Sequence, residues 1–190
     1  MNRTPFKLVL ASLLAALVAA GAVFSIPLPA PLPPITLAVF FSLLAGVVLG
    51  PLWGSASLGL YLLIGSLGLP VFANGSGGFG HFAGPTGGFL IGYLAAALAA
   101  GLLADRREWR FVRSLLAALA GVFALYAIGL PWFRAVLDAR PDRDLSLWGA
   151  FLIMAPYLVG DIVKAVAVAG LARALKPLLG NYLPAEKRAR

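Results

Sequence analysis

Six apolar runs organise the chain, and the breaks between them are polar, proline-rich or glycine-rich. A membrane-spanning helix needs about 20 apolar residues, with a range of roughly 17–25. The first run covers 6–26. It is followed by Pro27-Leu-Pro29-Ala-Pro31-Leu-Pro33-Pro34, which cannot continue a helix. The second run, 35–49, is short and ends at Gly50-Pro51; the third covers 52–69. A glycine-rich stretch from Pro70 to Gly84 comes next. Pro85 suits the first turn of a fourth helix over 86–104. The polar break Asp105 to Arg110 leads to a fifth run over 112–133. A charged loop, Arg134 to Asp144, precedes the sixth run over 145–175 and a basic tail. The pattern predicts an all-α integral membrane protein: one membrane domain over residues 1–190, a six-transmembrane-helix bundle with long outward-facing loops. The first run also carries leader-like features, Arg3 and Lys7 before it and Ala20-Gly21-Ala22 near its end; it is read as a retained span.

Composition agrees. The chain has 190 residues, of which 61% are hydrophobic and 12% charged, with a mean hydropathy of +0.94. Soluble domains carry roughly 25% charged residues, so this chain has too little polar surface to coat a globule in water. A formal charge of +8 in a soluble protein would suggest nucleic acid. Here the cations lie between apolar runs, so the expected partner is the lipid bilayer and no nucleic acid is expected. With six spans both termini share a side. That side carries eleven cations: Arg3, Lys7, Arg106, Arg107, Arg110, Arg113, Arg173, Lys176, Lys187, Arg188 and Arg190. The other side carries three, Arg134, Arg140 and Arg143. The bias predicts cytoplasmic termini in the cell membrane.

Small residues recur at every fourth position: Ala11, Ala15 and Ala19; Ser42, Gly46 and Gly50; Gly88, Gly92, Ala96 and Ala100. In lipid such stripes let helix backbones approach closely, either within a chain or between chains.

The main candidate for chemistry is Gly160-Asp161-Ile-Val-Lys164, two charges inside an apolar run. A charge at membrane depth costs about 2.5–3.5 kcal/mol on insertion scales, so such groups are functional candidates. At i,i+3 they share a helix face and can pair, which leaves a purely structural ion pair as the alternative. An Asp accepts hydrogen bonds and a Lys donates three, a set suited to a neutral group with both N–H and C=O, or to a carboxylate. The second candidate is the loop from Asn74 to Gly88. It reads either as a flexible linker or as a lid with Asn74 as a polar contact and Phe79 and Phe82 as apolar anchors. Other motifs fail on context. Gly75, Gly77 and Gly80 match a dinucleotide-type glycine string, but no strand–helix pattern surrounds it. Ser76 between two glycines resembles an intramembrane serine protease motif, yet the only histidine, His81, is in the same loop. One histidine and no cysteine make a metal site of these ligands unexpected. There is no Walker A string.

In order along the chain, Ile26-Pro-Leu-Pro29, Pro34-Ile-Thr-Leu37, Phe40, Leu44-Ala-Gly46, Leu49-Gly-Pro51, Gly65, Gly68-Leu-Pro-Val-Phe-Ala73, Gly84-Pro-Thr-Gly-Gly88 and Gly160-Asp161…Lys164 resemble the BioY family. These are the biotin-binding S components of energy-coupling-factor transporters. The resemblance implies a six-helix bundle with a biotin pocket near its outer face and no enzymatic activity. It implies no cofactor, biotin being the transported ligand. The expected partners are a transmembrane coupling subunit and ABC-type ATPase subunits. Asn74, Asp161 and Lys164 correspond to the family's biotin contacts; Phe79, Phe82 and Tyr157 are expected to cover the thiophane ring and chain. The Ala11–Ala15–Ala19 face is expected to dock on the coupling subunit. Three positions depart from the family: Ala38 and Val39, where Gln and Thr are frequent, and Phe89, where Tyr is frequent. An S component for another small vitamin, or an assembly protein without a ligand, remain the alternative functions.

Overall fold

The structure is a computed structural model that describes residues 4–29, 32–105, 108–139 and 145–179. Among these residues it is all-helical apart from two isolated bridges, Ile26 with Ile35 and Phe72 with Ser76. The α-helices are α1 (Thr4–Val23), α2 (Ala38–Leu49), α3 (Pro51–Ser66), α4 (Gly87–Leu103), α5 (Phe111–Asp138) and α6 (Leu147–Leu179). Two short 3-10 turns, Ala73–Gly75 and Phe79–Ala83, lie between α3 and α4. Arg3, Arg106, Arg107, Arg140, Arg143, Lys187, Arg188 and Arg190, which carry much of the charge bias, are outside the described residues.

Three helices, α1, α5 and α6, are long and apolar enough to cross a membrane, while α2 and α4 are shorter apolar helices. Large apolar side chains are exposed around the bundle, among them Leu8, Leu13, Leu52, Phe123, Val159 and Val163. A soluble monomer does not present such a surface, whereas lipid tails cover it without cost. The chain is a multi-pass membrane protein.

Small residues set the helix spacing. A side chain at Gly46 would place its Cβ 2.3 Å from the Ala97 carbonyl oxygen, so α2 and α4 touch backbone to backbone there. Gly101 meets Pro51 in the same way, and Gly92 meets Leu125. The sharp reversal between α2 and α3 rests on Gly50, at φ 85°, with Pro51 opening the next helix.

Two expectations are corrected. The alanine stripe on α1 is not a free face: Ala11 and Ala15 are only 6% and 4% exposed. Their small side chains let α3 approach until the Ser57 hydroxyl donates to the Ala11 carbonyl over 2.8 Å. Ala19, half-buried, packs on the same core. The second correction is at α5, which runs five residues past the expected end at Phe133. Arg134 and Asp138 stay helical because they pair at i,i+4, 3.6 Å apart. They also pin the start of α6: Arg134 Nε donates to the Leu145 carbonyl, and the Leu145 N–H donates to Asp138 Oδ1. Pro131 inside α5 is tolerated, as proline is in membrane helices whose neighbours compensate the lost bond.

The close α2–α4 contact generates a stability prediction. Gly46→Ala forces a methyl against backbone and should cost about 1–3 kcal/mol, read as a lower unfolding temperature in detergent. Gly59→Ala, whose Cβ would meet only Leu94 at 4.0 Å, should leave that temperature unchanged or raised.

Candidate functional site

The cavity lies at the end of the bundle that carries the α1–α2 linker and the α3–α4 loop. Its volume is about 320 Å³, at the lower end of small-molecule sites. Every α-helix contributes to its wall, through Ala22, Val39, Tyr61, Leu90, Tyr126 and Tyr157 among others.

Its polar centre is on α6. Gly160 and Asp161 line the cavity, and a Cβ on Gly160 would meet nothing within 4 Å, so the glycine leaves space beside the carboxylate. The Asp161 side chain is 6% exposed. A buried carboxylate must be hydrogen-bonded or paired, and Asp161 is both. Lys164 Nζ donates to Oδ1 at 2.8 Å from one turn along the same helix. The Tyr126 hydroxyl donates to Oδ2 at 2.9 Å from α5. Each carboxylate oxygen thus has one donor and retains a lone pair for another. Tyr93 on α4 neighbours both Asp161 and Thr36.

Tyr126 is held in place by a sequence of close contacts. Phe89 packs edge-on against its ring, with centroids 5.8 Å apart. Phe89 has room because position 129 on α5 is glycine; a Cβ there would fall 2.4 Å from the Phe89 ring. Next to it Gly88 accommodates Trp132, whose indole N–H donates to the Gly84 carbonyl at 3.1 Å.

The roof is built from two loops. The α3–α4 segment is folded, not a free linker. Phe72 is fully buried, edge-on to Tyr61, His81 and Phe82. The Gly78 N–H donates to the Gly65 carbonyl at 2.7 Å. Gly77 lies so close to Leu69 that a Cβ would be 2.2 Å from its carbonyl oxygen. Asn74 takes a left-handed conformation, φ 59°, which asparagine tolerates better than most residues. The α1–α2 linker joins this roof at two points. Ser25 Oγ donates to Asn74 Oδ1 at 2.8 Å, and the Tyr157 hydroxyl donates to the Pro33 carbonyl at 2.6 Å.

Asn74, Tyr157, Asp161 and Lys164 therefore line one cavity. Phe79 and Phe82 do not. Phe82 is spent packing on Phe72, and Phe79 is 76% exposed, resting on Phe82. The apolar anchor of the loop is Phe72, not this pair. The aromatic wall comes instead from Tyr61, Phe89, Tyr93 and Tyr126. These were missed because single aromatics in apolar runs look like ordinary core. The signal was the glycine one helix away, Gly129 opposite Phe89. Of the departures, Val39 and Phe89 line the cavity, and Ala38 is buried in the core.

These features define a class: a multi-pass helical membrane protein with an aromatic-walled, partly open cavity of small-molecule size around a paired carboxylate. Comparison with known proteins narrows it. The family model described as BioY family matches residues 2–181. "Biotin transporter BioY" of Rhodobacter capsulatus is 42% identical over 184 residues, covering 93% of each chain. "Biotin transporter BioY" of Thermotoga maritima is 38% identical over 173 residues, covering 90% of this chain and 96% of the relative. The crystal structure of the S-component for biotin from an ECF-type ABC transporter superposes with a TM-score of 0.81 at 26% identity, over 93% of both chains. The chain belongs to the BioY family.

The carboxylate cluster generates a coupling prediction. Lys164→Met leaves the buried Asp161 with one neutral donor and should lower stability by about 1–3 kcal/mol, the penalty for an under-satisfied buried group. Adding Asp161→Asn should recover part of that loss. Strictly additive unfolding temperatures would show that the pair is not coupled.

Proposed function

We propose that the protein is the substrate-binding subunit of a biotin uptake transporter. It captures biotin at the outer face and releases it inward with a transmembrane coupling subunit and ABC-type ATPase subunits. The observation that carries the reading is the placement of Asp161. It is buried in the cavity with both oxygens oriented by protein donors and both able to accept once more.

The chemistry of biotin suits this site. Its ureido ring has two N–H donors and one C=O. Asp161 accepts from the N–H side, and Asn74 and Lys164 supply donors for the oxygen. Tyr157 and the aromatic wall cover the thiophane ring and the valeryl chain. The expected bilayer arrangement is six spans, with α2, α3 and α4 crossing as short helices packed against the long ones. The cavity end then faces outward and the termini face the cytoplasm. The protein itself binds and releases; it performs no chemical step.

Two measurements test this. Purified protein should bind biotin, and Asp161→Asn should weaken binding by about 1.5–3 kcal/mol, the scale of a hydrogen bond to a charged group. Unaltered affinity in a folded Asp161→Asn variant would falsify the assignment. For topology, the chain has no cysteine, so single-cysteine variants report cleanly. Gly80→Cys, in the exposed part of the roof, should react with a membrane-impermeant thiol reagent on intact cells. Glu108→Cys, in the α4–α5 connection, should react only after permeabilisation. The reverse pattern would overturn the orientation.

A further inference from the structure

A carboxamide presents two chemically opposite faces, and the function of Asn74 depends on which one meets the ligand. We propose that Ser25 is the positioning residue that settles this. It holds the Asn74 carboxamide oxygen through one of its two lone pairs, which biases Asn74 to present its amino group to the cavity and to favour a ligand with a hydrogen-bond acceptor at that point.

Two hydrogen bonds carry the assignment. The Asn74 backbone N–H donates to Ser25 Oγ at 3.1 Å, and Ser25 Oγ donates to Asn74 Oδ1 at 2.8 Å. The serine hydroxyl has one proton. At 2.8 Å from the carboxamide oxygen and 3.4 Å from the Val23 carbonyl, that proton goes to Asn74. Serine thus grips the same residue through its backbone and its side chain. The backbone at Asn74 is fixed in the left-handed region, φ 59°, ψ 26°, which limits where the side chain can go. With one lone pair of the oxygen engaged by Ser25, the amino group is the larger share of what the carboxamide has left for the cavity that Asn74 lines. The same cavity is also lined by an acceptor, the Asp161 carboxylate. The cavity therefore has a polarity: it takes N–H groups at Asp161 and a C=O at Asn74. Ser25 itself does not line the cavity and acts through Asn74 alone.

The inference rests on the biotin reading and sharpens it to one atom, the ureido oxygen. The probe is 2-iminobiotin, in which that oxygen is replaced by an imino nitrogen that carries hydrogen. Affinities for biotin and 2-iminobiotin are measured on the purified wild type and on three variants. Wild type is expected to favour biotin by about tenfold or more, the consequence of facing a donor with a donor. In Ser25→Ala the carboxamide is free to turn its oxygen inward, and the preference should shrink to about threefold or less. Ser25→Thr keeps the hydroxyl and should restore it, which a purely structural role for the loop would not produce. Asn74→Asp, an acceptor in place of the amide, should reverse the preference and tests the idea even if Ser25→Ala does not fold. An unchanged preference in a folded Ser25→Ala or Asn74→Asp protein overturns the inference. If wild type binds no biotin, or Asp161→Asn binds it normally, the functional reading itself fails and this inference fails with it. Normal weakening by Asp161→Asn with no change in preference isolates the failure to Ser25.

Discussion

A carboxylate among apolar helices has nowhere to send its lone pairs except to the protein. Burial of Asp161 therefore dictates much of what surrounds it. Its charge requires Lys164 one turn away on the same helix. Its second oxygen requires a donor from another helix, and Tyr126 supplies it from α5. That bond fixes how α5 and α6 face each other. Tyr126 needs lateral support, which Phe89 gives from α4, and Phe89 needs the space left by Gly129. One charge thus sets the side-chain sizes at positions on three helices. Replacing such a cluster by packed apolar residues is often neutral or stabilising. Its presence here is better explained by binding than by stability, because each carboxylate oxygen still has acceptor capacity facing a cavity.

The two ends of the bundle use different physics. Toward the α2–α3 turn, contacts are backbone against backbone, through Gly46, Gly54 and Gly101. Dispersion at short range is the force available in lipid, where burying apolar surface yields little. Such packing leaves no room for a solute. At the other end the α1–α2 linker and the α3–α4 loop have backbone groups outside any helical ladder. Some pair within their own segment, Ile26 with Ile35 and Phe72 with Ser76, and the Gly78 N–H donates to the Gly65 carbonyl in the last turn of α3. Irregular backbone at membrane depth is tolerated only where it is buried in protein or lines a cavity. The roof is irregular and lines the cavity, which is where such backbone is tolerated.

Much of this was legible in the sequence. Helix positions followed from apolar runs and their proline and glycine breaks, because lipid demands long apolar segments with little local variation. Asp161 and Lys164 stood out because a charge in such a run is costly. Legibility failed where a side chain's role depends on a neighbour distant in sequence. Ala11 and Ala15 looked like a free face, since a small-residue stripe has the same appearance whichever helix it meets. Phe79 and Phe82 looked like anchors, but Phe72, one strand-like bridge earlier, holds the loop. The end of α5 is not legible because charges look alike in a loop and on a helix, while Arg134 and Asp138 pair along the helix and brace α6.

The departures at Val39 and Phe89 gain meaning from their location. Both line the cavity, and both present a hydrocarbon surface to it. Neither touches the Asp161 cluster by hydrogen bond; Phe89 supports it through its ring. The polar groups that the side chains around the cavity hold in fixed orientation are then few: the Asp161 cluster, and Asn74, held by Ser25. A cavity with few polar contacts is less tolerant of error at each of them, since a mismatched donor or acceptor has no second partner to turn to. The carboxylate of Asp161 is oriented by one bond along its own helix, from Lys164, and one across to α5, from Tyr126, while the carboxamide of Asn74 is oriented by a bond between two loops, from Ser25.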